Sequence, residues 1–159
     1  MKKFALLLVA TLFTTAVFAQ NFNIGARVGS GFQAVGQLHL NDKNYVEGRF
    51  GAGWLDSCVT ADFTALYNWK ICTMNWTDEG TWFFDAGVGV NVGGRENFAY
   101  VGVAGMARLG YTFENTPLSL AFDYTPVIGP GFAYWKGYSQ GGFRDIGFAN
   151  IGITCTYNF

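Results

Sequence analysis

The chain has 159 residues and a formal net charge of −1 at pH 7, from 10 basic and 11 acidic side chains. Half of its residues are hydrophobic and 18% are aromatic, whereas only 13% are charged. This length fits one domain, and a near-neutral charge without a basic stripe excludes an electrostatic interface for nucleic acid. The combination of 22 glycines, many aromatic residues and few charges is unusual for an ordinary soluble domain.

The first residues have the pattern of a cleavable secretory signal. Lys2 and Lys3 supply positive charge, residues 4–13 form an apolar run, and Ala19 is a small residue suited to the −1 position of a cleavage site. The apolar run is too short for a membrane-spanning helix. We therefore expect residues 1–19 to be a removed signal peptide and residues 20–159 to be the mature domain, with a retained anchor helix as the alternative.

The rest of the chain alternates between apolar and polar residues, and turn residues divide it into segments of strand length. No segment has the roughly 18 uninterrupted apolar residues that a membrane helix requires, and none has a convincing helical period. The predicted strands lie near residues 21–29, 33–40, 45–54, 58–69, 81–92, 98–113, 117–126 and 143–159.

The connections between these segments differ in length. Residues 41–44 and 114–117 are predicted to be tight turns, and residues 93–97 a short loop. Residues 70–80 and 127–142 have no clear alternation and are predicted to be long connections. Short turns at one end and longer loops at the other are typical of barrels that cross a membrane. Two connections depart from this pattern: residues 70–80 lie on the side of the short turns, and the first connection on the opposite side, near residues 30–32, is very short.

Successive side chains of a strand point to opposite faces of the sheet. In every predicted strand one face is apolar and has no charged residue in the strand interior; Val88, Val101 and Ile153 are examples. The other face is rich in glycine and polar residues and carries all the charges of the strand interiors. Those charged residues are Arg27, Glu47, Arg49, Asp62, Asp85, Arg108 and Asp123.

Two arrangements explain this alternation. In a soluble lipocalin-like carrier the apolar face is the core and the charges meet water, whereas in a membrane barrel the apolar face meets lipid and the charges line the interior. The second is favoured because the polar face has no lysine in the strand interiors and because aromatic residues lie towards the strand ends, where lipid meets water. Those aromatic residues are Trp54, Tyr67, Trp69, Trp82, Tyr111, Phe113, Tyr124, Tyr157 and Phe159. We predict an all-β, eight-stranded antiparallel up-and-down transmembrane β-barrel.

Several segments resemble the small eight-stranded outer-membrane barrels, both OmpX-like proteins and the transmembrane domain of OmpA-like proteins. The similar segments are residues 27–32, 45–48, 82–89 and 117–126. The alternating C-terminal residues that end in Tyr157 and Phe159 resemble the signal that such barrels present to the barrel insertion machinery. The resemblance implies a monomer in the outer membrane of a Gram-negative bacterium, with outer-membrane lipid and that machinery as partners, and it implies location more than activity.

The seven charges of the polar face suggest two roles. Because an eight-stranded barrel has room only for side chains, we expect them to form a self-neutralising network that plugs the interior; the alternative is a narrow ion-conducting path. A separate aromatic segment, residues 132–138, is predicted to lie on the outer side of the membrane, in the long connection 127–142. Its Tyr134, Trp135 and Tyr138 are candidates for binding an unidentified extracellular ligand, or else belong to an aromatic belt that faces lipid.

Neither catalysis nor a cofactor is indicated. His39 is the single histidine, no serine is near it in its strand, and Ser30 and Ser57 are candidate nucleophiles only by default. The cysteines are Cys58, Cys72 and Cys155. They have no metal-binding spacing, and we expect free thiols, although one pair could form after export. We therefore expect no enzyme, no metal site and a structural or surface role in the outer membrane.

Overall fold

The structure, a computed structural model, describes residues 22–55, 58–135 and 138–159, and it describes the side chains of these residues except at 54, 55, 58, 134, 135, 138–140 and 143–146. The predicted signal peptide, residues 1–19, lies outside the described residues. No described helix is long and apolar enough to cross a membrane. The strands are β1 Phe22–Gly29, β2 Gly31–His39, β3 Asn44–Leu55, β4 Cys58–Thr77, β5 Gly80–Arg95, β6 Phe98–Phe113, β7 Leu118–Tyr124, β8 Val127–Trp135, β9 Tyr138–Gly147 and β10 Ile151–Asn158.

Eight antiparallel strands close into a barrel. Each of β1 to β6 pairs with the next strand, β7 pairs with β10, and β10 pairs with β1, which completes the ring. A closed ring leaves no unpaired edge among these strands. The predicted all-β, eight-stranded antiparallel barrel is confirmed.

The two remaining strands, β8 and β9, lengthen the wall of the barrel at one end and do not increase the number of strands in the ring. β8 follows β7 along the same neighbour: Tyr124 lies opposite Ala107 of β6, and Phe132 lies opposite Ala99, in one unchanged register. β9 pairs with β8 in the described residues and leads into β10 through residues 148–150. The predicted seventh strand, residues 117–126, therefore continues to Trp135, and the predicted eighth strand, residues 143–159, is interrupted at residues 148–150.

The predicted long connections are wrong. Residues 70–80 lie almost entirely in β4 and β5, which meet at the two-residue turn 78–79, and residues 127–142 lie mostly in β8 and β9. The register of β4 shifts between Lys70 and Cys72 and again between Met74 and Thr77. Each shift breaks the two-residue period from which a strand is predicted, so the second half of β4 had no visible alternation.

The stagger of the ring can be followed through its register. From Phe122 of β7 the pairing passes through Ile153, Val28, Phe32, Ala52, Ala61, Gly94 and Ala99 to Phe132 of β8. One circuit thus shifts the chain by 132 − 122 = 10 residues. For eight strands this shift corresponds to a strand tilt of about 40°, at which the interior is just wide enough to be filled by side chains.

The two ends of the barrel differ. We call the end with the turns at residues 40–43, 78–79 and 114–117 the turn end; Phe22 and Phe159 also lie there. We call the opposite end the loop end, and it carries the hairpins β3–β4, β5–β6 and β8–β9. The hairpin β1–β2 stops early at the loop end, because only Ser30 separates the two strands.

The faces of the strands divide as the alternation predicts. Val88, Val101 and Ile153 point outward with 46%, 42% and 54% of their surface exposed, whereas Arg49 and Glu47 point inward and are at most 1% exposed. This is the opposite of the arrangement that the soluble-carrier alternative requires.

Replacement of Ala104 by leucine tests this division. Ala104 points inward and is completely buried, while Ala99 of the same strand points outward and is exposed. We expect Ala104→Leu to lower the free energy of unfolding by about 1–3 kcal/mol through overpacking, and Ala99→Leu to leave it nearly unchanged. Equilibrium urea unfolding of both variants measures this; an equal loss in the two would contradict the assignment of the faces.

Candidate functional site: the barrel interior

Five of the seven predicted interior charges form one connected network. Arg27 Nε lies 2.7 Å from Asp123 Oδ1, and Arg49 Nη1 lies 3.4 Å from the same oxygen. Arg49 Nε contacts Glu47 Oε1 at 2.5 Å, and Arg108 binds both Glu47 oxygens, at 2.7 and 2.9 Å. All five side chains are at most 2% exposed. Three guanidinium groups thus share two carboxylates out of contact with bulk water.

The network crosses the interior. Glu47 and Arg49 are on β3, while Asp123 is on β7, which lies on the opposite side of the eight-stranded ring. Arg108 reaches Glu47 from β6. Because charged side chains from facing walls meet, the network closes the barrel at this level.

A glycine allows Arg27 to reach Asp123. Arg27 is on β1 and Asp123 on β7, with β10 between them, and Gly152 of β10 lies directly opposite Asp123. A Cβ atom on Gly152 would lie 2.6 Å from Arg27 Cζ. The guanidinium therefore lies flat across the backbone of β10, in space that any other residue would fill.

Neutral groups complete the coordination of the carboxylates. Thr154 Oγ1 donates to Asp123 Oδ2 at 2.5 Å, and Gln37 Nε2 donates to Glu47 Oε2 at 2.6 Å. Arg49 Nη1 also donates to Thr125 Oγ1 at 3.0 Å. A buried charge is tolerated only when it is paired and hydrogen-bonded, and these contacts meet that requirement for both acidic groups.

The other two predicted charges lie beside the network and join it through neutral side chains. Asp62 accepts from Gln33 Nε2 at 2.5 Å, and Gln33 in turn accepts from Arg27 Nη1 at 3.3 Å. Asp85 accepts from the Tyr45 hydroxyl at 2.7 Å, and that hydroxyl accepts from Arg108 Nη1 at 3.1 Å. The structure therefore brings all seven predicted residues into one hydrogen-bonded system.

Two members of this system were missing from the sequence analysis. Tyr45 bridges Arg108 and Asp85, and Thr125 contacts Arg49. Tyr45 has the same parity as Glu47 and Arg49 on β3, so the two-residue period itself was the signal that could have found it. Thr125 lies between β7 and β8, where the strand had been expected to end.

The interior also contains an apolar cluster. Its members share the parity of the charged face on β4, β6 and β8, but they were not expected inside. They are Leu66, Phe98, Tyr100, Ala104, Met106 and Val127. The interior is therefore ionic where the three arginines meet Glu47 and Asp123, and apolar at the inward positions of β4, β6 and β8 that form this cluster.

The remaining predicted sites lie away from the network. Tyr157 and Phe159 point outward at the turn end, 44% and 66% exposed, with ring centroids 4.9 Å apart. Tyr134, Trp135 and Tyr138 are at the tip of the β8–β9 hairpin, and their side chains lie outside the described ones. The segment 132–138, expected to be a loop, thus belongs to two paired strands wherever it is described.

His39 and the candidate serines are not brought together. His39 is at the turn end of β2, where its Nε2 lies 3.0 Å from Asn23 Nδ2. Ser30 precedes the other end of β2, roughly 30 Å away along the strand, and its hydroxyl contacts the Asn150 side chain. Ser57 lies outside the described residues.

Two cysteines lie among the described side chains. Cys72 and Cys155 are free and exposed, and the side chain of Cys58 lies outside the described ones. Within the described residues no three His, Cys, Asp or Glu side chains are grouped as metal ligands would be.

Comparisons with protein-family models, with curated proteins and with solved structures each return no match to this chain.

Replacement of Gly152 tests the path of Arg27. We expect Gly152→Ala to lower the free energy of unfolding by about 1–3 kcal/mol, because the new methyl group would displace the guanidinium from Asp123. Gly48→Ala is the matched control, since nothing lies within 4 Å of a Cβ at that position, and we expect a change below about 0.5 kcal/mol. If chemical denaturation shows equal stabilities for the two variants, Arg27 does not lie across Gly152.

Proposed function

We propose that this protein is an integral outer-membrane β-barrel whose polar interior is closed by its own side chains, and that its role is structural or at the cell surface rather than catalytic. The proposal depends on one observation. Soluble proteins bury apolar side chains and expose charged ones, whereas this barrel buries its ions inside and exposes apolar side chains outside. Such an exterior is unfavourable in water and favourable in lipid.

The apolar exterior extends around the whole ring. None of the described outward positions within β1–β7 and β10 carries a charged side chain. Exposed large apolar residues occur on each of these strands, among them Ile24, Leu38, Phe50, Phe63, Val90, Val103, Phe122 and Ile153. A soluble monomer rarely exposes one contiguous apolar patch of more than a few hundred Å², so this exterior supports the proposal that the barrel is surrounded by hydrocarbon.

A row of aromatic residues, most of them tryptophan or tyrosine, borders this band at the turn end. Trp76, Trp82, Tyr111 and Phe113 contact one another in series, with ring centroids 6.0, 5.2 and 4.9 Å apart. The exposed turns 40–43, 78–79 and 114–117 lie beyond them. Tyrosine and tryptophan favour the boundary between lipid and water, which supports placing the turn end at one surface of the membrane.

The proposed relationship to small OmpX-like barrels depends on the eight-stranded ring and on the outward-facing Tyr157 and Phe159 at the C-terminus. Both features fit a barrel that is delivered to the outer membrane and inserted there. We therefore propose outer-membrane lipid and the insertion machinery as the partners of this barrel.

Cell fractionation tests the location. After expression with residues 1–19 present, we expect the protein in the outer-membrane fraction, resistant to extraction by alkaline carbonate and soluble only with detergent. Recovery from the periplasm as a protein that stays in solution without detergent would contradict the proposal.

A charge on the exterior tests the contact with lipid. Val103 is 62% exposed and lies near the middle of β6. We expect Val103→Arg to destabilise the bilayer-inserted protein by about 2–4 kcal/mol, whereas Val103→Leu, which keeps the position apolar, has little effect. Reversible unfolding from lipid vesicles measures both. An arginine tolerated as well as leucine would show that this surface faces water.

Planar-bilayer recording tests the closure of the interior. A narrow channel is the second candidate, because a polar cavity enters the barrel from the turn end as far as Arg108 and Thr154. The ionic network beyond it joins facing walls, so we expect the purified protein to show no steady conductance. Long-lived open channels would favour the alternative.

A further inference from the structure

A cavity of about 430 Å³ opens at the turn end of the barrel. This volume is within the range of small-molecule binding sites. Its charged lining residues are Asp42, Lys70, Asp85 and Arg108, with His39 beside them. Threonine hydroxyls and the ring of Phe83 form much of the remaining wall. The cavity therefore has both polar and apolar walls, is close to neutral and is accessible from one side of the barrel.

Asp85 presents a fixed acceptor to this cavity. The side chain is only 2% exposed, and its Oδ2 accepts from the Tyr45 hydroxyl at 2.7 Å. Arg108 donates to the same hydroxyl and is held by Glu47. Asp85 Oδ1, in contrast, is buried and has no hydrogen-bond partner among the described residues. An acceptor left unpaired in this way costs free energy until a donor reaches it.

Lys70 provides the opposite charge. It lies directly across from Asp85 in the pairing of β4 with β5, and both side chains line the cavity. No ion pair within 4.0 Å joins Lys70 to any described acidic group. Its charge nevertheless lies within electrostatic range of both Asp85 and His39. One cation and one anion thus face the same space without neutralising each other directly.

We infer that this cavity binds a small zwitterion of the amino-acid class, whose ammonium group pairs with the Asp85 carboxylate and whose carboxylate pairs with Lys70. A neutral polyol would leave both charges unpaired, and a simple cation or anion would pair only one of them. The threonine hydroxyls suit a small polar side chain, and the Phe83 ring suits the carbon skeleton of such a ligand. The inference requires only the folded barrel and is independent of whether the barrel lies in a membrane.

Calorimetric and NMR titration of the full-length folded protein in detergent micelles with glycine tests the inference. Ethylamine, acetate and glucose serve as probes for the ammonium half, the carboxylate half and a neutral polyol. We expect saturable binding of glycine that is at least tenfold tighter than that of each comparator, with resonance shifts at His39, Lys70 and Asp85.

Two pairs of variants locate the site. We expect Asp85→Asn and Lys70→Gln each to weaken glycine binding at least tenfold. Asp78→Asn and Lys43→Gln make the same chemical changes at exposed positions in the turns, outside the cavity, and we expect both to bind like the wild type. Lys70 is only partly buried and contributes to no ion pair within 4.0 Å, so its replacement should leave the fold intact.

Three results would overturn the inference. They are the absence of saturable glycine binding to the wild-type protein, binding of ethylamine or glucose as tightly as glycine, and unchanged binding in the Lys70→Gln variant with a native unfolding midpoint. Each of the first two requires only the wild-type protein, so the test does not depend on how Asp85→Asn folds.

Discussion

The structure depends on the pairing of three buried guanidinium groups with two buried carboxylates inside a closed wall. Moving an ion from water to a medium of low polarity costs several kcal/mol of hydration free energy. Only oppositely charged partners that are close and well oriented offset that cost. Glu47 and Asp123 provide such partners for Arg27, Arg49 and Arg108. Because the partners come from different strands, the ring must close in one register for the ions to be satisfied.

That requirement accounts for several local features. Gly152 has no side chain where Arg27 crosses β10. Thr125 and Thr154 supply hydroxyl groups where an apolar residue would leave a charge with too few contacts. Another part of the interior needs no such chemistry, and Leu66, Met106 and Val127 pack together there. The barrel is thus filled by an ion-pair network and by an apolar cluster. The ion-pair network fixes the relative positions of β1, β3, β6 and β7.

The sequence was enough to predict which side chains point inward and which point outward. It was not enough to predict which charged side chains pair with each other. The two-residue period assigned Arg49 and Asp123 to the inside and Val101 to the outside, because parity is a property of each strand alone. Which carboxylate meets which guanidinium depends on the stagger of ten residues around the ring. The second half of β4 was missed because its two register shifts erase the period. Tyr45 and Phe98 were missed inside because large aromatic side chains were expected on the lipid-facing side.

The most direct test of the central claim is a double-mutant cycle on Glu47 and Arg108, which lie 61 residues apart in the chain and contact each other across the interior at 2.7 and 2.9 Å. The free energies of unfolding would be measured for the wild type, Glu47→Leu, Arg108→Met and the double variant. We predict a coupling free energy of about 1–3 kcal/mol, because each single replacement leaves a buried charge without its principal partner. Additive losses, with a coupling below about 0.3 kcal/mol, would show that these two side chains do not meet inside the barrel.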